Sequence, residues 1–175
     1  MSAPRQIYKQ AASQEVKDLL QTIFVAELLS PSSRLWIISP WISDIPVIDN
    51  RDNSFIHLEP AWTQTEIRIS EVLNRLSLLG SSVVIACRPD DHNRELLERL
   101  RSGRVEGDQI RICVAEELHA KGILGDGYYL SGSMNITYNG ISVNEESLLY
   151  STDEEQVAEK RIELVARWSA SAAEA

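Results

Sequence analysis

The alternation of strand and helix patterns along the first two thirds of the chain constrains the fold more than any other feature of the sequence. Apolar runs of strand length lie at residues 34–39, 82–87 and 109–114. Helical spacing of apolar residues predicts helices at 65–79 and 91–101, each between two of these strands. Because a helix that joins two strands favours parallel pairing, this order predicts an α/β domain with parallel crossovers.

The remaining segments fit the same domain. Helical spacing predicts a first helix at residues 14–29 and a closing helix at 153–168, and short β-rich pieces lie at 121–124, 128–131 and 145–150. A chain of 175 residues is long enough for one substantial core and too short for two comfortable ones. We therefore predict a single domain over residues 1–175, with a frayed tail after about residue 169.

Residues 40–64 form a long stretch without clear periodicity, which in a compact domain is typical of a functional loop. The stretch follows the first predicted strand, so it should leave the sheet at the carboxyl edge, where α/β proteins tend to place their sites. Trp41 and Asp44 are therefore candidates for the mouth of a pocket, although Trp41 suits core packing equally well. Arg88, just past the second strand, is a candidate phosphate contact or a solvated side chain.

The overall charge limits the classes of partner. A formal net charge of −9 argues against a broad basic face that coats nucleic acid, but it leaves room for a local basic cleft or a partner that delivers the substrate. No apolar run approaches the roughly 20 residues that span a bilayer, and the basic N-terminus lacks a following apolar segment. We therefore expect a cytoplasmic protein with no membrane partner. Cys87 and Cys113 lie in apolar runs, which favours buried thiols over a disulfide or a metal pair.

The segment from His119 to Glu146 departs from ordinary core and turn composition. It reads HAKGILGDGYYLSGSMNITYNGISVNEE. His119 and Lys121 are two positions apart in what looks like a β-strand, so both side chains should point to one face. Ser133 and Asn135 follow the end of the next predicted strand. An imidazole, an ammonium, a hydroxyl and a carboxamide are thus predicted to converge on one patch.

These residue types suit phosphoryl transfer, in which most of the rate comes from positioning and from stabilising charge on the nonbridging oxygens. Lys121 and Asn135 supply hydrogen-bond donors, and neither a metal nor a cofactor is predicted. A neutral His119 can attack phosphorus, and its other ring nitrogen then needs a carboxylate or a carbonyl to fix the tautomer. Glu146 is the best candidate for that role, because alternation allows only one of Glu145 and Glu146 to face the pocket.

The same segment resembles the signature of the phospholipase D superfamily, which is His-x-Lys, an Asp five residues after the Lys, and Gly-Ser-x-Asn. The matching residues are His119, Lys121, Asp126, Gly132, Ser133 and Asn135, followed by Thr137, Gly140, Asn144 and Glu146. The resemblance implies a phospholipase-D-like α/β/α sandwich with a mixed central sheet.

One departure from the family pattern concerns the hairpin inside the motif. Five residues separate Asp126 from Gly132, one fewer than is usual in the family. Because a one-residue shift within a strand exchanges its faces, the turn around residues 125–127 must absorb the difference if Ser133 is to keep its place. Asp126 itself, beside a glycine in a turn, is expected to hold the hairpin as a supporting residue.

The resemblance also implies a mechanism and a partner. His119 would form a covalent phosphohistidine, a second histidine would protonate the leaving oxygen, and water would resolve the intermediate. Family members generally need two such motifs, and this chain has one, because neither His57 nor His92 is followed by Lys two positions later. The second histidine is therefore expected from another copy, in a homodimer with the site on its two-fold axis.

Three functions follow from these observations. The leading one is a nuclease that acts on DNA or RNA, since small bacterial nucleases of this superfamily are similar in size. The others are a phospholipid hydrolase and a noncatalytic nucleic-acid-binding subunit. Residues 39–50, SPWISDIPVIDN, also resemble a phospholipase-D-like component of bacterial systems that insert 7-deazaguanine into DNA. That narrower resemblance implies a restriction or defence effector with further subunits.

Overall fold

The computed structural model describes residues 5–8, 13–103, 107 and 109–169, with the backbone alone at residues 5–8, 13 and 169. The predicted tail after residue 169 lies outside the described residues. The described helices and strands, in chain order, are β1 (Arg5–Tyr8), α1 (Ser13–Leu29), β2 (Arg34–Ile38), β3 (Pro46–Asn50), β4 (Thr65–Arg68), α2 (Ile69–Leu78), β5 (Ser82–Cys87), a short 3₁₀ helix (Asp91–Asn93), α3 (Arg94–Ser102), β6 (Ile110–Val114), β7 (Gly122–Leu124), β8 (Tyr129–Gly132), α4 (Tyr138–Ser142), β9 (Ser147–Ser151) and α5 (Glu154–Ser169).

A seven-stranded mixed sheet forms the centre of the domain, with the strand order β1-β9-β8-β7-β2-β5-β6. β2, β5 and β6 are parallel, which confirms the predicted crossovers, and the other neighbours pair antiparallel. Alternate residues of β2 point to opposite faces, so Leu35 and Ile37 belong to one core cluster and Trp36 and Ile38 to another. The two clusters lie on the two sides of the sheet.

Helices cover both faces of this sheet. The first cluster joins β2 and β5 to apolar residues of α1, α2 and α3, including the fully buried Phe24, Leu73 and Leu96. The second cluster joins the other face to α5 through Leu164 and Trp168, which are also buried. The fold is therefore an α/β/α sandwich with a mixed central sheet, and this prediction is confirmed.

The predicted helix at residues 65–79 is wrong over its first turn. Residues Thr65–Arg68 form β4, which pairs antiparallel with β3 in a separate two-stranded sheet. The register places Ile67 opposite Ile48, and both are buried, so the hairpin adds apolar surface to the core on the α1 side. A helix begins only at Ile69, where the Glu71 carboxylate accepts a hydrogen bond from the Arg68 backbone N–H. The first strand of this hairpin, β3, lies inside the predicted loop at residues 40–64, so that stretch contains regular structure.

Two smaller observations complete the comparison with the sequence. Cys87 and Cys113 are buried free thiols, as predicted, and they belong to the two different core clusters. Burial raises the pKa of the Cys87 thiol to about 11. Among the described residues, no helix is long and apolar enough to cross a membrane.

Candidate active site

All the motif residues except Asp126 lie at one end of the central sheet. The strand directions bring the carboxyl ends of β2, β5, β6 and β8 to this edge, together with the amino ends of β7 and β9. Lys121 immediately precedes β7, Ser133 follows β8, and Glu146 precedes β9. We refer to this end of the sheet, where these residues lie, as the motif edge. Parallel strands of α/β proteins place their functional loops at the same edge.

His119 and Lys121 lie in the segment between β6 and β7, which has no regular secondary structure, so the prediction that they belong to a strand is wrong by a few residues. The His119 side chain is exposed, and its Nε2 lies 3.2 Å from Nη2 of Arg88. Lys121 is partly buried, and its Nζ donates a hydrogen bond of 2.9 Å to the backbone oxygen of His119. The ammonium therefore lies beside the backbone of the candidate nucleophile.

Arg88 leaves the sheet directly after β5, and its side chain is held against the His119 segment. Its Nε donates to the backbone oxygen of Leu118 over 2.9 Å. Its guanidinium carbon lies 5.1 Å from the centroid of the Trp41 ring, and Trp41 Nε1 donates to Asp90 Oδ2 over 3.0 Å. The structure thus brings both Arg88 and Trp41 to the motif edge, and Trp41 is partly exposed rather than a core residue.

Ser133 and Glu146 form a closely bonded pair across the ends of β8 and β9. The Ser133 hydroxyl donates to Glu146 Oε2, and the Ser133 oxygen accepts from the backbone N–H of Ser147 over 3.1 Å. The other carboxylate oxygen of Glu146 accepts from Asn144 Nδ2 over 3.4 Å. In the single chain the carboxylate is therefore engaged by Ser133 and Asn144, and the predicted hydrogen bond from His119 to Glu146 is not formed.

The short hairpin before Ser133 keeps a regular register. β7 and β8 pair from Leu124 opposite Tyr129 to Gly122 opposite Ser131 without a shift. The chain reverses within residues 125–128. At the end of β8, Gly132 has φ +155°, and a Cβ there would meet the backbone oxygen of Ser147 at 2.0 Å. Only glycine fits at this position, which explains its place in the motif.

Asn135 is tied to the end of β2. Its Oδ1 lies 3.2 Å from the hydroxyl of Ser39, which is fully buried and also lies 2.8 Å from the backbone oxygen of Trp41. The same hydroxyl accepts from the backbone N–H of Ile136 over 3.2 Å. A parallel bridge between Ile42 and Ile136 continues this contact. Ser39, which the sequence analysis did not single out, therefore joins the loop after β2 to the Gly-Ser-x-Asn segment.

Two later positions of the motif have structural roles. Thr137 caps α4 by accepting a hydrogen bond from the Gly140 backbone N–H over 3.1 Å. A Cβ on Gly140 would meet the backbone oxygen of Asn135 at 2.2 Å, so this position requires close approach of two backbones. Together they fix the direction in which the chain leaves Asn135.

Asp126 lies at the opposite edge of the sheet, away from the other motif residues. Its carboxylate accepts from the backbone N–H and the hydroxyl of Ser33, over 2.7 and 2.9 Å, and lies 3.6 Å from Arg161 Nη2. Ser33 directly precedes β2, and Arg161 belongs to α5. Asp126 thus ties the hairpin turn to two other elements, a holding role that does not bring it into the site.

Asp44 does not line the mouth of a pocket. Its side chain is buried, its Oδ1 accepts from the backbone N–H of Ser70 in the first turn of α2, and its Oδ2 lies 3.1 Å from Arg99 Nε. A carboxylate at a helix N-terminus satisfies free backbone donors and suits the helix dipole. The structure therefore assigns Asp44 to the packing of α2 against α3.

Asn93 is the main residue near the motif edge that the sequence analysis missed. It is fully buried, its Oδ1 accepts from the Ile42 backbone N–H over 2.7 Å, and its Nδ2 donates to the backbone oxygens of Pro40 and Arg88 over 3.0 and 2.9 Å. One side chain thus joins the loops after β2 and β5. The Asp-Asp-His-Asn run before the charged helix signals a cap, but it does not indicate these distant contacts.

Carboxylates near the motif edge offset part of the positive charge of Arg88 and Lys121. Asp90 accepts hydrogen bonds from the His92 backbone N–H and from Trp41, and these bonds lower the pKa of its carboxyl group. Exposed Glu116 and Glu117 lie in the turn just before Leu118. The cations of the site are therefore few and local, as the acidic composition requires.

A cleft of about 320 Å³ lies elsewhere, between α1, β3 and α4. Its lining combines both signs of charge and includes Lys17, Asp49, Arg51 and Glu66. None of the residues that match His-x-Lys, the following Asp or Gly-Ser-x-Asn lines it. The hydrogen bond from Arg51 lowers the pKa of Asp49 to about 2. This ion pair leaves little uncompensated charge for a ligand, so the cleft is a weaker candidate site than the motif edge.

Comparisons with known proteins bear on the fold. No protein-family model matches the sequence, and no curated protein does. Among solved structures, NucT from Helicobacter pylori is similar with a TM-score of 0.61 and 15% identity, covering 91% of each chain. Nuc from Salmonella typhimurium, a phospholipase D family member, is similar with a TM-score of 0.62 and 12% identity, covering 95% of this chain and 94% of that one. Polyphosphate kinase from Porphyromonas gingivalis has a TM-score of 0.63 and 14% identity, and the match covers 94% of this chain but 26% of that one.

Two of these similarities extend over nearly the whole of both chains, and at identities of 12–15% they concern the fold. In this chain that fold is a seven-stranded mixed sheet with helices on both faces, in agreement with the predicted mixed central sheet. This chain therefore has the phospholipase-D-like fold.

Proposed function

We propose that the chain is a phosphodiesterase, and specifically a nuclease, whose nucleophile is His119 and whose catalytic centre is completed by a second copy of the chain. The observation that carries the proposal is the convergence of His119, Lys121, Ser133, Asn135 and Glu146 on one sheet edge from segments on β6–β7, β8 and β9. These are the residue types that phosphoryl transfer needs, gathered by a fold that phospholipase D family members also have.

The proposed reaction has two steps. A ring nitrogen of His119 attacks phosphorus, the bond from phosphorus to the leaving oxygen breaks, and a second histidine gives its proton to that oxygen. Water then attacks the phosphohistidine, its proton passes to the second histidine, and the phosphorus–nitrogen bond breaks. Lys121 and Asn135 stabilise the charge on the nonbridging oxygens in both steps. All of this chemistry can proceed without a metal ion, which makes resistance to EDTA a test.

The second histidine is the reason for proposing a homodimer. His57 and His92 lack the motif, and His92 Nε2 is engaged by the Ser43 hydroxyl at 2.8 Å. A two-fold axis at the motif edge would instead bring two copies of His119 to one phosphate. Such a contact would cover exposed apolar side chains at this edge, since Val114 at the end of β6 is 53% exposed and Val143 shortly before β9 is 63% exposed.

The site residues suit any phosphodiester, which both nucleic acids and phospholipids contain, and nucleic acid is preferred for lack of a membrane-binding feature. The described residues include no helix able to span a bilayer, and no basic amphipathic helix was found in the sequence, so a phospholipid hydrolase is the weaker alternative. The resemblance of residues 39–50 to a component of 7-deazaguanine systems supports a narrower proposal, a cytoplasmic restriction or defence effector with other subunits.

The test uses purified protein in EDTA with four labelled nucleic acids, single- and double-stranded DNA and RNA, and with vesicles of phosphatidylcholine and cardiolipin. DNA carrying 7-deazaguanine forms a further arm beside the same unmodified sequence. We expect nucleic-acid cleavage that His119→Ala and Lys121→Ala abolish. The matched controls His57→Ala and Lys17→Ala change the same residue types outside the motif, between β3 and β4 and on α1, and should retain cleavage.

Each alternative has its own outcome in this experiment. Hydrolysis of vesicles without cleavage of nucleic acid would establish the phospholipid hydrolase instead. Binding of nucleic acid with no cleavage, unchanged in His119→Ala, would establish a noncatalytic subunit. Cleavage that EDTA stops and that His119→Ala leaves intact would refute the proposed chemistry.

A further inference from the structure

The contact between Arg88 and His119 is an arrangement that the proposed reaction has not yet used. Arg88 Nη2 lies 3.2 Å from His119 Nε2, its Nε donates to the Leu118 backbone oxygen, and its guanidinium carbon lies 5.1 Å from the centroid of the Trp41 ring. Asn93 holds the backbone of Arg88, because its Nδ2 donates a hydrogen bond of 2.9 Å to the Arg88 backbone oxygen. The guanidinium is therefore held from three sides rather than free in solvent.

This contact determines where the proton of His119 lies. Arginine stays protonated, and its guanidinium has donors but no acceptor. Nη2 must therefore donate, so His119 Nε2 accepts and carries no proton. The neutral ring then has its proton on Nδ1. In the free protein the lone pair of Nε2 is thus directed at Arg88.

We propose that Arg88 binds the scissile phosphate and, by moving from His119 Nε2 to a nonbridging oxygen, releases the nucleophilic lone pair. The inference rests on the proposed function and assigns the phosphate contact within it. An anionic phosphate oxygen is a stronger acceptor for guanidinium than a neutral imidazole nitrogen, and Arg–phosphate pairs form two parallel hydrogen bonds. The exchange therefore favours substrate, and it places phosphorus beside the nitrogen that has just been freed.

The covalent step follows from this geometry. The Nε2–phosphorus bond forms, the ester bond to the leaving oxygen breaks, and the electron pair stays on that oxygen, which takes the Nε2 proton of His119 of the second copy. That second ring is doubly protonated in the complex, because its own Arg88 has also moved to the phosphate and its Nε2 has taken up a proton from solvent. Nδ1 of the attacking ring keeps its proton throughout. After water has displaced Nε2 from phosphorus and the product has left, the Arg88 contact to Nε2 forms again, and the ring is in its starting state.

Arg88 is well placed for this role because its neighbours restrict it without neutralising it. Lys121 already donates to the backbone oxygen of His119, and no carboxylate forms an ion pair with Arg88 among the described residues. The Trp41 ring lies beside the guanidinium group, and the Asp90 carboxylate accepts a hydrogen bond from the indole N–H. A cation held by a ring and a carbonyl keeps its full charge for the phosphate.

The test compares Arg88→Met, which retains an unbranched stem without donors, with Arg88→Lys, which retains a cation. Arg94→Met is the matched control, because Arg94 is exposed on α3 and its ion pair among the described residues is with Asp91. Nitrogen-15 NMR of labelled histidine at pH 8 reads the tautomer of His119, with inorganic phosphate as the added probe. Thermal melts identify any variant that fails to fold, and Arg88→Lys then provides the comparison.

In the wild-type protein we expect an Nδ1–H tautomer of His119 and a change of its Nε2 signal when phosphate is added. Arg88→Met should abolish the phosphate response and lower the single-turnover cleavage rate roughly 100-fold or more, the usual effect of removing one donor to a developing anion. Arg88→Lys should recover part of both, and Arg94→Met should resemble the wild type.

Failure of this inference can be told apart from failure of the proposed function. An Nε2–H tautomer in the wild-type protein, or a phosphate response that survives in Arg88→Met, would overturn the role of Arg88. So would wild-type cleavage by Arg88→Met under conditions in which His119→Ala is inactive. Retained cleavage by His119→Ala would overturn the proposed function itself.

Discussion

Replacing Asn93 by alanine should destabilise the protein strongly although the residue touches no motif side chain. Asn93 is fully buried and makes three hydrogen bonds of 2.7–3.0 Å, to the backbones of Pro40, Ile42 and Arg88. Alanine leaves the Ile42 N–H without this partner, whereas the Pro40 and Arg88 oxygens each keep one backbone donor, the N–H groups of Arg88 and Asp90. An unsatisfied buried N–H costs roughly 1–3 kcal/mol, and each of the two lost hydrogen bonds about 1 kcal/mol. With the low end for the N–H, we expect a loss of about 3 kcal/mol.

Urea unfolding measures this loss. With a slope of roughly 2–3 kcal/mol per molar urea for a chain of this size, the midpoint should fall by about 1–1.5 M at unchanged slope. Asn93→Asp should be worse than alanine at pH 7, since its carboxylate would face two carbonyl oxygens. That geometry raises the pKa of the introduced acid in the folded state, so the lost stability should return as the pH falls toward 4, where the acid is protonated.

The matched control is Asn139→Ala, which changes an exposed asparagine on α4 and should alter stability by less than about 0.5 kcal/mol. Cleavage per folded molecule should also fall in Asn93→Ala, because the loops that carry Trp41 and Arg88 lose their shared anchor. A midpoint for Asn93→Ala that matches the control would show that these three hydrogen bonds do not hold the motif edge together.

Three further predictions follow from single contacts. Gly132→Ala should cost more than about 2 kcal/mol in urea unfolding, because its Cβ would overlap the backbone oxygen of Ser147; a smaller loss would mean that β8 and β9 separate easily. Asp126→Ala should cost about 1 kcal/mol and leave cleavage per folded molecule unchanged, since the half-exposed carboxylate lies at the opposite edge; reduced cleavage would place it in the site. Cys87 and Cys113 should resist iodoacetamide at pH 8 in the native state and react in denaturing urea, because burial raises the pKa of both thiols; fast native labelling would contradict their burial.

The sequence predicted the central architecture because its signals are local. β2, β5 and β6 are apolar runs with helices between them, and parallel crossovers follow from that order alone. The hairpin of β3 and β4 escaped prediction because Thr65–Arg68 leads directly into a true helix, and its apolar spacing fits both structures. Periodicity cannot separate a short strand from a first helical turn when the pairing partner lies far along the chain.

The candidate site shows the same division between local and distant information. The spacing of His119, Lys121, Ser133 and Asn135 is visible in the sequence, and the structure gathers these residues at one edge. The contacts of Asn93 with residues about fifty positions away are not visible, because a buried asparagine has no periodic signal. Asp44 is the reverse case, a residue that the sequence analysis assigned to the site and the structure does not.

Asp44 resembled a pocket residue by its place in an irregular loop, and in the structure it caps α2 and lies beside Arg99. A carboxylate in a loop can serve a ligand or a helix terminus, and only the position of the helix decides between them. Likewise, the one-residue-shorter hairpin could be judged only once the register of β7 and β8 was known. The role of each motif residue in catalysis stays a prediction.

The most direct measurement is the stoichiometry of the covalent intermediate. The protein is mixed with a labelled nucleic-acid substrate in EDTA, quenched in alkali to preserve phosphohistidine, and mapped by mass spectrometry, with the oligomeric state measured on the same sample. A site shared by two copies predicts label on His119 alone, at no more than one per two chains, in a dimeric protein. Label on His57 or His92, label on every chain of a monomer, or cleavage without any labelled histidine would contradict a half-site centred on His119.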